Sequence, residues 1–258
     1  MTTTSHSSPD DAAPDHSDRV LVVIPTYDER ENIPRIIPEV LATDSRIDIL
    51  VVDDNSPDGT AALVRGMQES EPRIHLLQRA GKQGLGRAYI AGFKWGLEAK
   101  YGRICEMDAD FSHRPEDLAR LIAATEPGQD VDVAIGSRYV GGTVNVVNWP
   151  MSRLFISIFG SWYARTITRL PVRDATGGFN MFRAPALRSI DFRRIQSNGY
   201  SFQIELKLRT WRNGFEIREI PIIFVERETG ESKMSKKIVR EAVWKVWKLR
   251  IMDLFGRL

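Results

Sequence analysis

Short apolar runs alternate with helix-like stretches along residues 20–135 of the chain. Continuous apolar runs of about four to eight residues are typical of strands that are buried on both faces. Strands that alternate with helices at this spacing form βαβ units, in which neighbouring strands are parallel. The pattern therefore predicts an α/β fold with a mostly parallel, Rossmann-like sheet flanked by helices. The predicted strands are Val20–Ile24, Ile47–Val52, Ile74–Leu77, Arg103–Met107 and Val131–Ile135.

The same pattern divides the chain into three parts. Residues 1–18 are rich in Ser, Thr, Pro and Asp and have no apolar periodicity, which predicts a disordered tail. Residues 19–235 contain the predicted sheet and no linker that would separate a second domain. Residues 236–258 are predicted to form a basic amphipathic helix, either part of this domain or appended to it. The other predicted elements are helices over 29–41, 60–68, 84–99, 115–124, 151–170 and 202–211, and a strand over 215–225.

Composition and charge narrow the class of protein. The chain has 258 residues, of which 42% are hydrophobic and 27% charged, as is usual for a globular protein with a substantial core. The single cysteine, Cys105, excludes a disulfide framework and a cysteine-rich zinc site and fits a reducing compartment. No run approaches the roughly 20 apolar residues of a membrane span. The net charge is only +2, but the C-terminal end is strongly basic, which predicts an anionic partner at that end and not nucleic acid along the whole surface.

Polar clusters follow several predicted strands, at the end where parallel sheets bind their ligands. The sharpest is Asp108-Ala109-Asp110, because two carboxylates separated by one residue at a strand end can share a divalent cation. Mg²⁺ and Mn²⁺ prefer oxygen ligands and bridge carboxylates to substrate phosphates. The alternative is a pair of solvated turn carboxylates. We predict a metal site because an apolar strand precedes the motif and another predicted strand also ends in an acidic cluster.

That second cluster is Asp53-Asp54, which lies where nucleotide-binding α/β folds hold a ribose or a base. A capped turn is the alternative, since Asn55-Ser-Pro-Asp-Gly59 favours a turn by itself. The glycine-rich segment 81–87 matches neither the dinucleotide fingerprint nor the P-loop. A phosphate-binding loop and an ordinary helix start therefore both remain open for it.

Basic side chains flank the predicted site and are candidates for binding phosphate. Arginine binds phosphate through the N–H donors of its planar guanidinium, often two at once, and lysine binds it as a point charge. The segment 227–233 is a candidate lid whose cations close over a diphosphate. The candidates are Arg138, Arg153, Arg227 and Lys233.

The C-terminal helix is predicted to have an apolar face and a basic face. Basic residues interleaved with tryptophan suit a membrane interface. The alternative is a surface helix whose apolar face packs on the protein core, and both can hold at once. The apolar face contains Val239, Ala242, Val243, Val246 and Leu249, and the opposite face contains Lys237, Arg240, Trp244, Trp247 and Lys248.

Several motifs together resemble a known family over residues 20 to about 235. These motifs are Val23–Glu29 with Asn32, Val51–Thr60, Gly84–Gly86, Met107–His113, Ile135–Val140, Asn148–Pro150 and Gly230–Lys233. The first two resemble the opening of inverting glycosyltransferases with the GT-A fold, and the others are similar to the dolichyl-phosphate (polyprenol monophosphate) mannosyltransferases.

The resemblance implies a GT-A fold, GDP-mannose as the donor, a polyprenyl phosphate as the acceptor, and Mg²⁺ or Mn²⁺ on Asp108 and Asp110. It implies that Arg138 and Arg153 hold the acceptor phosphate, and that Asp110 and these two arginines are the catalytic residues. Many relatives have Gln in place of Ser112. The implied nucleotide-sugar contacts are Pro25, Tyr27, Glu29, Val52, Asp54, Asp108, Ala109, Asp110, Ser112, Arg227 and Lys233.

The resemblance also implies a place in the cell and leaves alternatives. The protein is expected in the cytoplasm, peripheral on the cytoplasmic face of a membrane. It would reach the lipid through its C-terminal helix or through a separate membrane-anchoring protein. One alternative is a transferase that moves glucose or another sugar from a UDP donor to a lipid phosphate. The other is an inactive nucleotide-sugar-binding subunit of a membrane complex.

Overall fold

The computed structural model of the chain describes residues 15–140, 143–225, 236–256 and 258, without the side chains of 236–242. The strands are β1 (Val20–Thr26), β2 (Ile47–Asp53), β3 (Ile74–Gln78), β4 (Arg103–Glu106), β5 (Val133–Ser137), β6 (Val146–Val147), β7 (Asn180–Arg183), β8 (Ile217–Pro221) and β9 (Phe224–Val225). The α-helices are α1 (Ile33–Thr43), α2 (Thr60–Gln68), α3 (Leu85–Glu98), α4 (Pro115–Ala124), α5 (Met151–Thr168), α6 (Ala184–Arg188), α7 (Tyr200–Arg212) and α8 (Lys236–Leu254).

Seven strands form one central sheet in the order β3-β2-β1-β4-β7-β5-β8. Neighbouring strands are parallel except for β7, which runs antiparallel to both β4 and β5. The predicted α/β fold with a mostly parallel sheet flanked by helices is therefore confirmed. Because β7 is antiparallel to both neighbours, β4 and β5 point the same way. A separate two-stranded sheet pairs β6 with β9.

The sheet is buried on both faces, as its continuous apolar strands predict. Alternate residues of β1 enter opposite halves of the core: Leu21 and Val23 join one, and Val20, Val22 and Ile24 the other. Helix α3 lies close to the first face because it presents glycines there. A methyl group on Gly92 would overlap the Val23 side chain. This close approach fixes α3 beside the strand ends where the polar clusters lie.

Several elements differ from the prediction. Strand β7 was not predicted, and the strand predicted over 215–225 is divided into β8 and β9. The helix predicted from residue 29 begins at Ile33, because residues 29–32 form a turn closed by Asn32 N–H donating to the Glu29 carbonyl. The N-terminal tail lies outside the described residues up to residue 14. Its last part packs on the domain, with the His16 ring stacked 4.6 Å from that of Tyr101.

Helix α8 is present as predicted, but only part of its predicted apolar face is buried. Val246 and Leu249 pack into the core, whereas Val243 is 40% exposed. The side chains of Val239 and Ala242 lie outside the described residues. Trp244 and Trp247 are exposed. Among the described residues, no helix is long and apolar enough to cross a bilayer.

Candidate active site

The carboxyl ends of four parallel strands bring the predicted site residues to one edge of the sheet. Strands β1, β2, β4 and β5 end there, and each is followed by one of the polar clusters. Three non-glycine residues in these clusters have left-handed backbone conformations: Asp28 (φ 62°), Asn55 (φ 60°) and Phe111 (φ 59°). Such conformations are uncommon outside glycine and concentrate at functional sites. The structure thus brings the acidic and basic clusters together as expected from the predicted topology.

The two carboxylates after β2 have different environments. Asp53 accepts hydrogen bonds from the Thr26 hydroxyl (3.0 Å) and the Ser56 N–H (3.0 Å), so it ties β1 to the turn. Asp54 instead pairs with Arg79, whose Nη1 lies 2.7 Å from Oδ1. Burial raises the pKa of Asp54, and the Arg79 charge opposes that rise. Asp54 is therefore placed at the edge with a cation beside it, and Asp53 holds the turn.

The turn after β1 and the glycine-rich segment lie side by side. The Lys82 ammonium lies 3.8 Å from the centroid of the Tyr27 ring. Glu29 accepts a hydrogen bond from Asn32 Nδ2 (2.7 Å), and its N–H donates to the Thr60 hydroxyl (3.3 Å). Segment 81–87 therefore contributes a cation to the edge and also starts α3 at Leu85.

The remaining predicted nucleotide contacts differ in exposure. Pro25 is half-buried, whereas Val52 and Ala109 are buried. The side chain of Val52 lies in the core, so a ligand at the edge would reach this residue through its backbone. Arg227 and Lys233 lie outside the described residues.

The residues Asp108 and Asp110 after β4 are held by hydrogen bonds from helix α3 and within the turn that follows the strand. Tyr89, buried on α3, donates its hydroxyl to Asp108 Oδ1 at 3.0 Å. The Asp108 N–H donates to His113 Nδ1 (3.1 Å), and Asp110 Oδ1 accepts from the Ser112 N–H (3.1 Å). Burial lowers the pKa of His113, which fits the unprotonated Nδ1 that accepts this bond. Asp108 and Asp110 are thus oriented at the edge while both stay partly exposed.

These carboxylates are suited to a divalent cation of the Mg²⁺ type. No group of three or more His, Cys, Asp or Glu side chains suited to a metal occurs among the described residues. Mg²⁺ usually takes one or two carboxylates and completes its coordination with substrate phosphates and water. The Asp108 and Asp110 pair fits that requirement. In the same segment the Ser112 hydroxyl is buried and has no hydrogen-bond partner among the described residues.

The two arginines predicted to hold the acceptor phosphate are brought together around Trp149. The guanidinium carbon of Arg153 lies 4.3 Å from the Trp149 ring centroid, and that of Arg138 lies 5.5 Å from it. Arg138 is buried and forms an ion pair with Asp174 at 2.6 Å. The Arg138 guanidinium therefore already has one fixed anionic partner, which the sequence did not indicate.

Comparison with known proteins defines the family. The sequence profile described as "Glycosyl transferase family 2" matches residues 21–191, which is more than half of the chain. The chain belongs to glycosyl transferase family 2. Its predicted identity as a glycosyltransferase, based on the motifs, is thereby confirmed.

Two similar curated relatives narrow the comparison within the family. One is the polyprenol monophosphomannose synthase of Mycolicibacterium smegmatis, which is 49% identical over 90% of this chain and 88% of its own. The other is the undecaprenyl-phosphate mannosyltransferase of Micrococcus luteus, which is 50% identical over 87% of this chain and 91% of its own. These relatives confirm the resemblance to polyprenyl-phosphate mannosyltransferases.

Solved structures confirm the fold of this family 2 enzyme. Glucosyl-3-phosphoglycerate synthase from Mycobacterium tuberculosis, in complex with Mn²⁺, UDP and phosphoglyceric acid, has a TM-score of 0.66 at 15% identity, covering 90% of this chain and 78% of its own. A mannosyltransferase from Pyrobaculum calidifontis, in complex with GDP-Man and Mn²⁺, has a TM-score of 0.55 at 18% identity, covering 96% and 78%. Structures of this fold have therefore been solved with a divalent metal and a nucleotide.

Three residues of the site were not found by sequence reasoning. Arg79 directly follows β3 and pairs with Asp54, Tyr89 reaches Asp108 from α3, and Asp174 pairs with Arg138. The sequence shows a basic residue directly after a predicted strand at Arg79, but its contact with Asp54 depends on β3 lying next to β2. No comparable signal existed for Asp174, which lies 36 residues from Arg138 and ends no predicted strand.

Proposed function

We propose that this enzyme transfers mannose from GDP-mannose to a polyprenyl phosphate with inversion, giving a polyprenyl β-D-mannosyl phosphate and GDP. The observation that carries the proposal is its near-50% identity to two enzymes named for this class of product, across about nine-tenths of the chain. The edge of the sheet supplies matching chemistry, with carboxylates suited to a metal beside arginines suited to a phosphate.

The acceptor chemistry requires positioning and charge neutralisation more than proton transfer. A phosphate monoester has a second pKa of about 6, so its oxygen is already anionic at neutral pH. A strong general base is therefore unnecessary. Arg138 and Arg153 neutralise the acceptor and direct its oxygen at the anomeric carbon. A single in-line displacement by that oxygen inverts the anomeric centre.

The donor is proposed to bind near the carboxyl ends of β1, β2 and β4, whereas the acceptor arginines follow β5 and lie on α5. In this proposal Asp54 and Tyr27 contact the nucleotide, and Asp108 and Asp110 would hold Mg²⁺ or Mn²⁺. When bound, such a metal would supply Lewis-acid stabilisation of the departing GDP. Arg227 and Lys233 complete the donor site in this proposal as cations that close over the diphosphate.

The acceptor is a membrane lipid, so the proposal includes contact with a membrane surface. Helix α5 carries a stripe of exposed apolar side chains at helical spacing, and Tyr163 on the same helix donates a hydrogen bond to the Val243 carbonyl of α8. Helix α8 carries a second stripe. Exposed apolar surface on this scale usually marks an interaction site. The two stripes are Met151, Phe155, Phe159 and Trp162 on α5, and Trp244, Trp247, Ile251 and Leu254 on α8 with Phe255 directly after it.

These stripes favour direct lipid contact over a separate anchoring protein. Tryptophan and phenylalanine beside basic residues such as Lys245 and Lys248 are the composition of interfacial helices on anionic membranes. Arg153 lies in the first turn of α5, so a membrane that contacts this helix lies next to the acceptor site. We place the enzyme as a peripheral protein on the cytoplasmic face.

The decisive experiment measures sugar transfer into lipid. Purified enzyme is incubated with radiolabelled GDP-mannose, a polyprenyl phosphate in detergent and Mg²⁺, and the label that enters the organic phase is counted. We expect label in the lipid that EDTA abolishes and that excess Mg²⁺ restores. NMR of the product should show a β linkage.

Matched reactions with UDP-glucose address the main alternative. Transfer from UDP-glucose but not from GDP-mannose would replace the donor in this proposal. Binding of GDP-mannose without transfer to any polyprenyl phosphate would favour an inactive nucleotide-sugar-binding subunit.

A further inference from the structure

A buried charge cluster lies directly behind Arg138. The carboxylate of Asp174, which has no exposed surface, accepts hydrogen bonds from Arg138 Nε (2.7 Å) and Nη2 (2.6 Å). It also accepts the Arg138 backbone N–H (3.1 Å) and the Gly177 N–H (3.0 Å). Asp174 therefore fixes both the main chain and the side chain of Arg138, which directly follows β5.

The segment that carries Asp174 is itself held from two further elements. Lys207 of α7 is fully buried, and its ammonium donates to the carbonyls of Asp174 (3.1 Å), Ala175 (3.4 Å) and Gly177 (2.8 Å). The Glu219 carboxylate of β8 accepts the Asp174 N–H at 2.8 Å. Strand β5, helix α7 and strand β8 thus all determine where this carboxylate lies.

Such a cluster is costly for stability by itself. A buried ammonium loses its hydration and is tolerated only when its donors are satisfied, as those of Lys207 are by carbonyl oxygens. Burial lowers the pKa of the Lys207 ammonium, and the negative charge of Asp174 opposes that shift. A buried ion pair is weak evidence for added stability. An arrangement that holds Arg138 in place is a stronger explanation, because that residue borders the site.

The remaining surroundings of Arg138 are aromatic. Its guanidinium carbon lies 5.2 Å from the Tyr139 ring centroid and 5.5 Å from the centroids of Trp149 and Phe224. With Nε and Nη2 directed at Asp174, the nitrogen left for an acceptor is Nη1. A guanidinium is a planar fork, so fixing one edge fixes the direction of the other.

We propose that Asp174 is a positioning residue for acceptor binding, which orients Arg138 so that Nη1 faces the acceptor phosphate, and that Lys207 holds Asp174 in place. The inference rests on the proposed function, since it assigns a role in binding the lipid phosphate. Asp174 and Lys207 touch neither substrate in this arrangement and act through Arg138.

The test separates acceptor binding from stability. In Asp174→Asn and Lys207→Met, we expect the KM for polyprenyl phosphate to rise about tenfold or more, as a misdirected charged hydrogen bond would cause. The KM for GDP-mannose should change less than twofold, on the order expected for sites without shared partners. Thermal unfolding is measured on each variant.

The matched control is Glu205→Gln on the same helix α7. It breaks the buried Glu205–Arg209 ion pair (2.7 Å), which is away from Arg138, so it lowers Tm without altering the acceptor KM. If Asp174→Asn does not fold, Thr176→Val carries the test, because it removes only the hydroxyl that accepts from Arg138 Nη2 at 3.1 Å. For that variant we expect a rise of about two- to fivefold in acceptor KM, as for one hydrogen bond.

The outcomes distinguish the inference from the function. An unchanged acceptor KM in these variants, or an equal rise in Glu205→Gln, overturns the positioning role while leaving the transfer reaction in place. A rise in the KM for GDP-mannose equal to that for the acceptor also overturns it. A wild-type enzyme that makes no mannolipid overturns the proposed function directly, and the positioning role falls with it.

Discussion

At the scale of single residues, Asp110 has the most direct consequence for activity. Replacing it with Asn keeps the shape of the side chain and removes the charge that would hold the divalent cation. Because a metal contributes several kcal/mol of transition-state stabilisation, we expect kcat to fall roughly a hundredfold or more. Transfer of radiolabelled mannose into lipid measures this change.

A matched control for Asp110→Asn is Asp130→Asn. Asp130 is exposed and lies at the opposite edge of the sheet, just before β5 begins. We expect wild-type turnover for this control and unchanged unfolding curves for both variants. Near-normal transfer by Asp110→Asn would contradict the assignment of the metal to this carboxylate.

Arg79 gives a second prediction for a single residue, on the donor side. Arg79→Met leaves the buried Asp54 carboxylate without its 2.7 Å partner, which disturbs the nucleotide side of the edge. We expect the Kd for GDP, measured by calorimetry, to rise about tenfold, the scale of one charged hydrogen bond. The KM for the lipid acceptor should stay near its wild-type value.

Arg73→Met is the control for the Arg79 variant. Arg73 directly precedes β3, at the end of the strand opposite Arg79, and forms a surface ion pair with Glu71. Ion pairs of this kind contribute little to stability. Unchanged GDP affinity in Arg79→Met, or equal weakening in Arg73→Met, would show that Arg79 has no specific role at the nucleotide.

Local sequence patterns predicted the residues at strand ends but not the partners that orient them. Asp108 and Asp110 could be placed because a strand and a motif lie next to each other in the chain. Arg79 and Asp174 contact Asp54 and Arg138 across 25 and 36 residues, so their contacts depend on the order of the strands in the sheet. A pattern of apolar residues predicts strands and does not predict that order.

At the scale of elements, the close packing of α3 on β1 yields a stability prediction. Gly92→Ala would place a methyl group against Val23, and overpacking of this kind typically costs about 1–3 kcal/mol. We expect the urea midpoint of unfolding to fall accordingly. The added methyl group would push α3 away from β1 and displace Tyr89, which hydrogen-bonds Asp108, so turnover should also fall. The control is Gly66→Ala on α2, where an added methyl group would meet no atom within 4 Å outside its own helix, and higher helix propensity should raise stability by up to about 1 kcal/mol. Equal stability of the two variants would contradict the packing argument.

The elements also show where periodicity fails. Strands β1 and β2 were predicted because their apolar runs are long and continuous. Strand β7 has only four residues and includes Asn180 and Arg183, so it carries no apolar run. It pairs antiparallel between β4 and β5 because tertiary packing holds it there. Its position decides that Asp174 lies beside Arg138, which explains why the cluster behind the site was not predicted.

At the scale of the whole molecule, the exposed apolar stripe on α5 and the proposed acceptor site belong to the same region. Helix α5 begins at the site with Arg153 in its first turn, and its stripe runs along the helix from Met151 to Trp162. Phe155 is 63% exposed and Phe159 60%. Side chains of this kind stabilise a helix at a lipid interface by the apolar area they bury. Membrane binding and access to a long-chain acceptor should therefore depend on the same residues.

The double variant Phe155→Ser/Phe159→Ser tests this dependence. We expect it to lose most of its sedimentation with vesicles that contain anionic lipid, because about 1.5–3 kcal/mol of burial is removed for each phenylalanine. Transfer to a long polyprenyl phosphate embedded in those vesicles should fall in parallel. Transfer to a short-chain acceptor dissolved in water should remain, because the arginines and carboxylates of the site are untouched.

Leu85→Ser, at an exposed leucine on α3, is the control and should bind vesicles as the wild type does. Loss of transfer to the short-chain acceptor would show that the stripe supports the site itself, and full vesicle binding by the double variant would assign membrane contact to another surface.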